Sequence, residues 1–329
     1  MQRTPFILLL SVLFITACGG AAAASTPTVV PQPTSTLEPI ATSTTEAVLM
    51  PEQLFEITND PDNMKDPYGI AINSEGNLYV TDAGNNRVLI FDGTGKLIAK
   101  WDTRGDGEGQ FQSLGFGGLA IDANDNVFVV DNGNHRIQKL DRDGSFLLGW
   151  GSSGTGDGQF VRAIGIALDT NGNVYVTDDG NPFVQKFDNN GNFLMRWGGA
   201  GTADGQFSHA TGIAVDANGN IFVADYENKR VQKFDPTGTF HTAWNMGEDI
   251  KISGTPEAIA LDAEGNVYVS DYALGRIQVF DNDGRFLWAI SAESISRPMF
   301  KRPTGITFDE NGRLFVVNQS GNSVSVFQP

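Results

Sequence analysis

The chain has 329 residues, with 39 acidic side chains against 22 basic ones and a net charge of −17. That balance argues against nucleic acid and anionic membrane surfaces as partners, because both need a basic face. Its 39 glycines and 14 prolines suit a turn-dense β protein, and a single cysteine excludes an internal disulfide.

The chain opens with a short charged start, Met1-Gln2-Arg3-Thr4, and an apolar run over residues 6–14. That run is too short to span a bilayer as a mature helix and reads as a signal peptide over residues 1–17. It ends in Ile15-Thr16-Ala17-Cys18-Gly19, which resembles a bacterial lipobox, although Ile15 stands where leucine is commoner. The resemblance implies that Cys18 becomes the first mature residue and carries a lipid. An ordinary cleavage among residues 21–24 would instead discard Cys18. The expected address is extracytoplasmic, in a bacterial cell envelope, with the lipid as the only membrane contact. Residues 18–50 are rich in Ala, Ser, Thr and Pro, with almost no aromatic side chain. Such a stretch cannot bury enough apolar surface to offset its ordering entropy, so it is expected to be a disordered tether.

From residue 51 to 329 one pattern recurs. In its clearest copy the apolar runs 213–215, 221–224 and 231–234 are separated by turn residues, the first pair by Asp216-Ala217-Asn218-Gly219-Asn220. Runs this short, rich in β-branched and aromatic residues, are strands, and the Asp/Asn/Gly linker is a hairpin turn. The glycine opening the first strand recurs as Gly69, Gly118, Gly165, Gly212 and Gly305, with Ala258 in the fifth place, at steps of 49, 47, 47, 46 and 47 by subtraction. The acid ending the second strand recurs as Asp82, Asp131, Asp178, Asp225 and Asp271, with Asn318 last. A period of this length in all-strand units selects an all-β propeller, and six registers predict six four-stranded blades.

Outer strands are expected over residues 96–101, 146–150, 193–197, 240–244 and 286–290, with tryptophans packing blade against blade. The sixth unit stops before its outer strand. Residues 53–57 supply a spare one, which is expected to pair with the last blade and close the ring, removing open edges. Three blade connections repeat Gly-Gln-Phe at residues 109–111, 158–160 and 205–207, where the phenylalanine plugs the gap between blades.

Asn173-Val174-Tyr175-Val176-Thr177-Asp178 and Asn134-His135-Arg136-Ile137-Gln138-Lys139-Leu140 resemble the NHL repeat, and similar runs occur in all six units. The resemblance implies a six-bladed propeller. It does not imply an activity, since the family holds binding domains and a few enzymes.

Candidate functional residues follow from departures from the repeat. Asp82, Asp131, Asp225 and Asp271 each precede an arginine by five residues (Arg87, Arg136, Arg230, Arg276), whereas blade six has the neutral Asn318 and Ser323. Joint loss of both charges marks a structural ion pair, since removing one alone would strand the other. Blade three keeps Asp178, replaces the arginine with Phe183 and adds Asp179. Two adjacent carboxylates without their cation are a candidate ligand or metal contact. A zinc or lyase site on an NHL-like propeller would need imidazoles converging on the mouth. His135 and His209 could share the blade-entry face but are not a ligand set without help, and His241 lies in an outer strand. The Asp/Asn turns lack the closing glutamate of a calcium loop. Residues just before each inner strand, among them Tyr68 and Glu257, gather at the propeller mouth with Arg162 and Arg302 nearby. The expected function is a monomeric binding module that takes a protein or small extracellular ligand on this face, without nucleic acid and without an obligatory cofactor. The alternative is a metal-dependent lyase or lactonase that uses Asp178, Asp179 and His209 with a divalent metal.

Overall fold

The structure, a computed structural model, describes residues 48–49, 51–58, 63–247, 254–291 and 299–329. The stretch expected to be a signal peptide, Cys18 and most of the expected tether lie outside the described residues. The described strands form six sheets, each containing one four-stranded antiparallel blade, in the order the sequence predicts. The first elements are β1 (Val48–Leu49) and β2 (Glu52–Ile57); blade 1 then runs β3 (Pro67–Ile72), β4 (Leu78–Asp82), β5 (Arg87–Phe91) and β6 (Leu97–Trp101). Hydrophobic β-branched and aromatic residues make these strands, and Asn/Asp-Gly turns connect them. In blade 4, for example, Asp216 Oδ1 accepts the backbone N–H groups of Asn218 and Asn220.

The ring closes as predicted. β2 pairs antiparallel with Ser323–Gln328, setting Glu52 opposite Gln328 and Ile57 opposite Val324. Blade 6 therefore has strands from both ends of the propeller. A second pairing departs from the sequence expectation: Val48 and Leu49, assigned above to the tether, pair in parallel with Ala289 and Ile290 on the outer strand of blade 5.

The recurring glycine has a steric cause. A Cβ on Gly212 would lie 2.5 Å from Ala258 Cα, and one on Gly69 would lie 2.9 Å from Gly118 Cα. Inner strands thus meet backbone to backbone around the axis, and Thr304 Oγ1 joins blade 6 to blade 1 by donating to the Tyr68 carbonyl at 3.0 Å. Between blades the packing is apolar. Phe111, Phe160 and Phe207 of the Gly-Gln-Phe phrases are completely buried, each stabilising the fold by roughly 1.5–3 kcal/mol. Trp150, Trp197 and Trp244 reach rings of the next blade, Phe187, Phe234 and Phe280, at centroid distances of 5.8 Å.

All four predicted ion pairs form: Asp82–Arg87 at 2.5 Å, Asp131–Arg136 and Asp225–Arg230 at 2.9 Å, and Asp271–Arg276 at 3.1 Å. Each aspartate is fully buried. In blade six Asn318 Nδ2 instead donates to Ser323 Oγ at 3.3 Å and to Ser325 Oγ at 2.8 Å, a neutral substitute for the pair.

Candidate functional site at the propeller mouth

Each inner strand begins with a register shift against its neighbour in blades 1, 3, 4, 5 and 6, for instance between Pro67 and Ile70 and between Pro256 and Ile259. A bulge re-aims the side chains it contains. Here it brings Tyr68 of blade 1 and Glu257 of blade 5 together, although the two residues are 189 apart in sequence. The Tyr68 hydroxyl donates to Glu257 Oε1, and both side chains are buried.

Burial dominates the electrostatics of this pair. It raises the Glu257 carboxyl to about 7; the Tyr68 hydrogen bond opposes the shift and the Asp179 charge adds to it. Burial, followed by the Glu257 charge and hydrogen bond, pushes the Tyr68 hydroxyl well above the usual tyrosine range. Glu257 is thus a carboxyl that exchanges its proton near neutrality beside a hydroxyl that keeps its own.

The remaining blades complete the mouth. Arg162 Nε donates to Asp179 Oδ1 and Nη2 donates to Oδ2 at 2.6 Å, a two-pronged pair within blade 3. Asp179 holds the Arg162 guanidinium more firmly in its charged form. Phe116 of blade 2 sets its ring edge-on to Tyr68 at 5.6 Å and stands 46% exposed, so the mouth presents an aromatic face to solvent. Tyr226 and Tyr272 of blades 4 and 5 meet edge to face at 6.3 Å. Burial, then the Glu257 charge, raises the Tyr226 hydroxyl. Arg302 of blade 6 lies 5.5 Å over the Tyr272 ring, and the Tyr272 hydroxyl donates to Gln319 Oε1 at 3.1 Å. All six blades contribute.

Two expectations need correction. Asp178 and Asp179 are not a cation-free pair, because Asp179 has Arg162 as its counter-ion. Asp178 does not face the mouth as a ligand group: it is buried and accepts backbone N–H groups from Val161, Arg162, Gly180 and Asn181 at 2.7–3.1 Å. In blade 3 backbone donors replace the arginine of the other blades. Among the described residues no side-chain hydrogen bond joins a histidine to the Tyr68–Glu257 pair. His135 caps the turn Asn132–Asn134 with φ 51°, and the His209 carbonyl accepts the Tyr226 N–H at 2.9 Å, while the Nδ1 atoms of both histidines are buried without a hydrogen-bond partner among the described residues. The described residues contain no group of three or more His, Cys, Asp and Glu side chains that could hold a metal ion, so the metal-dependent alternative finds no ligand set among them.

Sequence reasoning missed Tyr226, Tyr272, Gln319 and Phe116. The first three had a usable signal. Each directly follows the repeat position of the acid, where the series reads Ala83, Asn132, Asp179, Tyr226, Tyr272 and Gln319. Only Asp179 of that series was singled out.

The fold and this mouth define a six-bladed β-propeller with a polar, aromatic-rimmed axial site. Residues 65–91, 117–140 and 207–234 match the NHL repeat, so NHL repeats stand at three positions of the six-bladed propeller. No curated protein sequence matches it. Among solved structures it resembles a streptogramin B lyase, with TM-score 0.59, 14% identity, and coverage of 83% of this chain and 96% of that one. It also resembles a catalytically inactive variant of virginiamycin B lyase from Staphylococcus aureus with quinupristin (TM-score 0.60, 14% identity, 82% and 83% covered). A third similar structure is a gluconolactonase from Xanthomonas campestris (TM-score 0.60, 19% identity, 82% and 87% covered). At these identities the likeness is one of fold.

Proposed function

We propose that the blade-entry mouth is a binding site for a small polar extracellular ligand or a protein side chain, and that the chain acts as a binding module. The observation that carries this reading is the buried Tyr68–Glu257 pair framed by Arg162–Asp179 and the exposed Phe116 ring. A few fixed polar groups set in an aromatic collar are the usual composition of a ligand site. The Cys18 motif supports presentation of this face outside the cytoplasm on a lipid anchor, and the net charge of −17 supports a partner other than nucleic acid.

A photo-crosslinking residue in place of Phe116 tests the binding reading, with the same residue in place of the exposed Leu194 on an outer strand as control. Adducts specific to position 116, reduced by Arg162→Ala, are expected. Equal labelling at both positions would show that the mouth has no privileged partner. Replacement of Cys18 with alanine is expected to release the protein from the membrane fraction; retention there would end the lipid-anchor reading.

One observation favours a second reading. A carboxyl that titrates near 7 beside a protonated tyrosine is suited to moving a proton to or from a bound substrate. This gives the lyase or lactonase alternative a metal-independent form, with Glu257 as base or acid and Tyr68 as its hydrogen-bonding partner. Turnover that survives Glu257→Gln would exclude it.

A further inference from the structure

The opposite end of the propeller carries a second concavity, between blades 1 and 2. It measures about 340 Å³ and is bordered by Trp101, Ile90, Ile98, Tyr79 and the turns that hold Asn73 and Arg142. Comparison with the other blades shows why it is open. In blades 2, 3 and 4 a lysine on the third strand (Lys139, Lys186, Lys233) lies 4.9–5.6 Å over the second-strand ring of its own blade. In blade 6 Arg313 covers Phe315 at 5.4 Å, and in blade 5 Phe308 packs on Tyr268 at 4.8 Å. Blade 1 has Ile90 at the lysine place, and among the described residues no cation lies over Tyr79.

The first turn has changed in step. Asp122 of blade 2 uses Oδ1 to accept the N–H groups of Asn124 and Asn126, while its Oδ2 accepts Asn126 Nδ2 at 2.9 Å and faces Lys139 Nζ at 3.4 Å. Blade 1 has Asn73 there. Its Oδ1 likewise accepts Glu75 and Asn77 N–H, at 3.1 and 2.8 Å, which fixes the amide orientation and puts Nδ2 where Oδ2 would be. Asn73 is 6% exposed, and this Nδ2 has no partner. A buried donor without an acceptor is costly and invites one.

The walls of the pocket combine opposite capacities. Trp101 and Ile98 offer an apolar platform. Glu75 and Arg142 pair at 2.8 Å across the two turns and stay more than half exposed, so acceptors and a donor stand at the rim. Asp143 adds a carboxylate to the lining. An alkylammonium would match the acidic rim, but at the vacated lysine position it would face the Asn73 N–H donor. A hydroxyl can accept from Asn73 and also donate to Glu75 or Asp143. We propose that this pocket binds a neutral sugar ring, its apolar face on Trp101 and Ile98, one hydroxyl oxygen accepting from Asn73 Nδ2 and others donating to the rim carboxylates. This site lies at the other end of the blades from the mouth and does not depend on the function proposed there.

The experiment is saturation-transfer NMR on the soluble propeller with D-glucose, D-galactose and N-acetylglucosamine, with n-butylammonium as the competing class. A dissociation constant on the order of 1 mM is expected for at least one sugar, as befits about a dozen heavy atoms in an open pocket. The double variant Asn73→Asp with Ile90→Lys rebuilds the blade 2 arrangement inside blade 1 and fills the pocket. It is expected to melt no lower than the parent and to weaken the sugar about tenfold or more. Asp143→Ala, on an exposed turn, is expected to weaken it about threefold and serves if the double variant folds poorly. Three results would each overturn the proposal: no sugar bound at about twenty times the expected dissociation constant, unchanged binding in the folded variants, or binding of n-butylammonium in preference to the sugars.

Discussion

Replacing Glu257 with glutamine isolates the charge at the mouth. Its carboxyl titrates at about 7 in the folded chain, against an ordinary value of 4.5. At about 1.36 kcal/mol for each pH unit between the two values, this is about 3 kcal/mol. The sign follows from proton binding. Between pH 4.5 and about 7 the native state retains the proton and the unfolded chain releases it, so raising the pH favours unfolding. The wild type is therefore expected to lose about 3 kcal/mol across that window through this one group, with no further loss from it at higher pH. Glutamine carries no such penalty. It can still accept from Tyr68 through its amide oxygen, and loses about 1 kcal/mol of charge-assisted hydrogen bonding. At about pH 8 the variant is thus expected to be more stable than the wild type by about 2 kcal/mol, or roughly 3–4 °C in melting temperature for a domain of this size. At about pH 5 the two are expected to melt together, or the variant slightly lower. Thermal melts of both proteins from about pH 4.5 to about pH 8.5 give the difference curve directly. A difference that is flat with pH, or largest at acid pH, would refute the assignment of a raised carboxyl to Glu257.

Further outcomes follow from the scaffold. Asp225→Ala removes the acceptor for Ser208 N–H, Asn228 Nδ2 and Arg230 Nε at 2.8–2.9 Å and is expected to destabilise by roughly 3–5 kcal/mol in urea unfolding. The joint change Asp225→Asn with Arg230→Ser, which copies blade six, is expected to cost less than the single alanine. Gly212→Ala places a methyl 2.5 Å from Ala258 Cα and is expected to cost about 1–3 kcal/mol in the same assay. Gly312→Ala meets nothing within 4 Å at φ +75° and is expected to cost about 1–2 kcal/mol from backbone strain alone. A chain starting at residue 63 lacks β2 and bares the edge of Ser323–Gln328; light scattering is expected to show association that the longer chain does not.

The blades were legible because each strand is short, alternates between turn signals and repeats at nearly constant spacing. The ion pairs were legible for a related reason: Asn318 and Ser323 lose both charges in one step, a covariation inside a single chain. The mouth was legible only by position. Tyr68 and Glu257 could be placed at the entry of their strands, but no spacing rule couples residues 189 apart, and the bulges that turn them toward each other leave no mark in composition. Asp179 misled for the same reason. Its counter-ion, Arg162, sits on the preceding blade connection rather than five residues onward, so the pattern that revealed four salt bridges concealed the fifth. Asn73 and Ile90 each look unremarkable alone. Their meaning appears only beside Asp122 and Lys139, once the fold shows that the two positions meet.

The pairing of β2 with Ser323–Gln328 sets the order in which the molecule can be finished. Synthesis delivers the N-terminal strand first, yet its hydrogen-bonding partner is made last, so β2 must wait unpaired while five blades assemble behind it. Joining segments about 270 residues apart carries a loop entropy that grows only with the logarithm of that separation, so the cost is mainly one of time. A chain that lacked residues 323–328 would be a nearly complete ring with two unpaired strands, β2 and Leu314–Asn318, and quality control would meet the protein in that form.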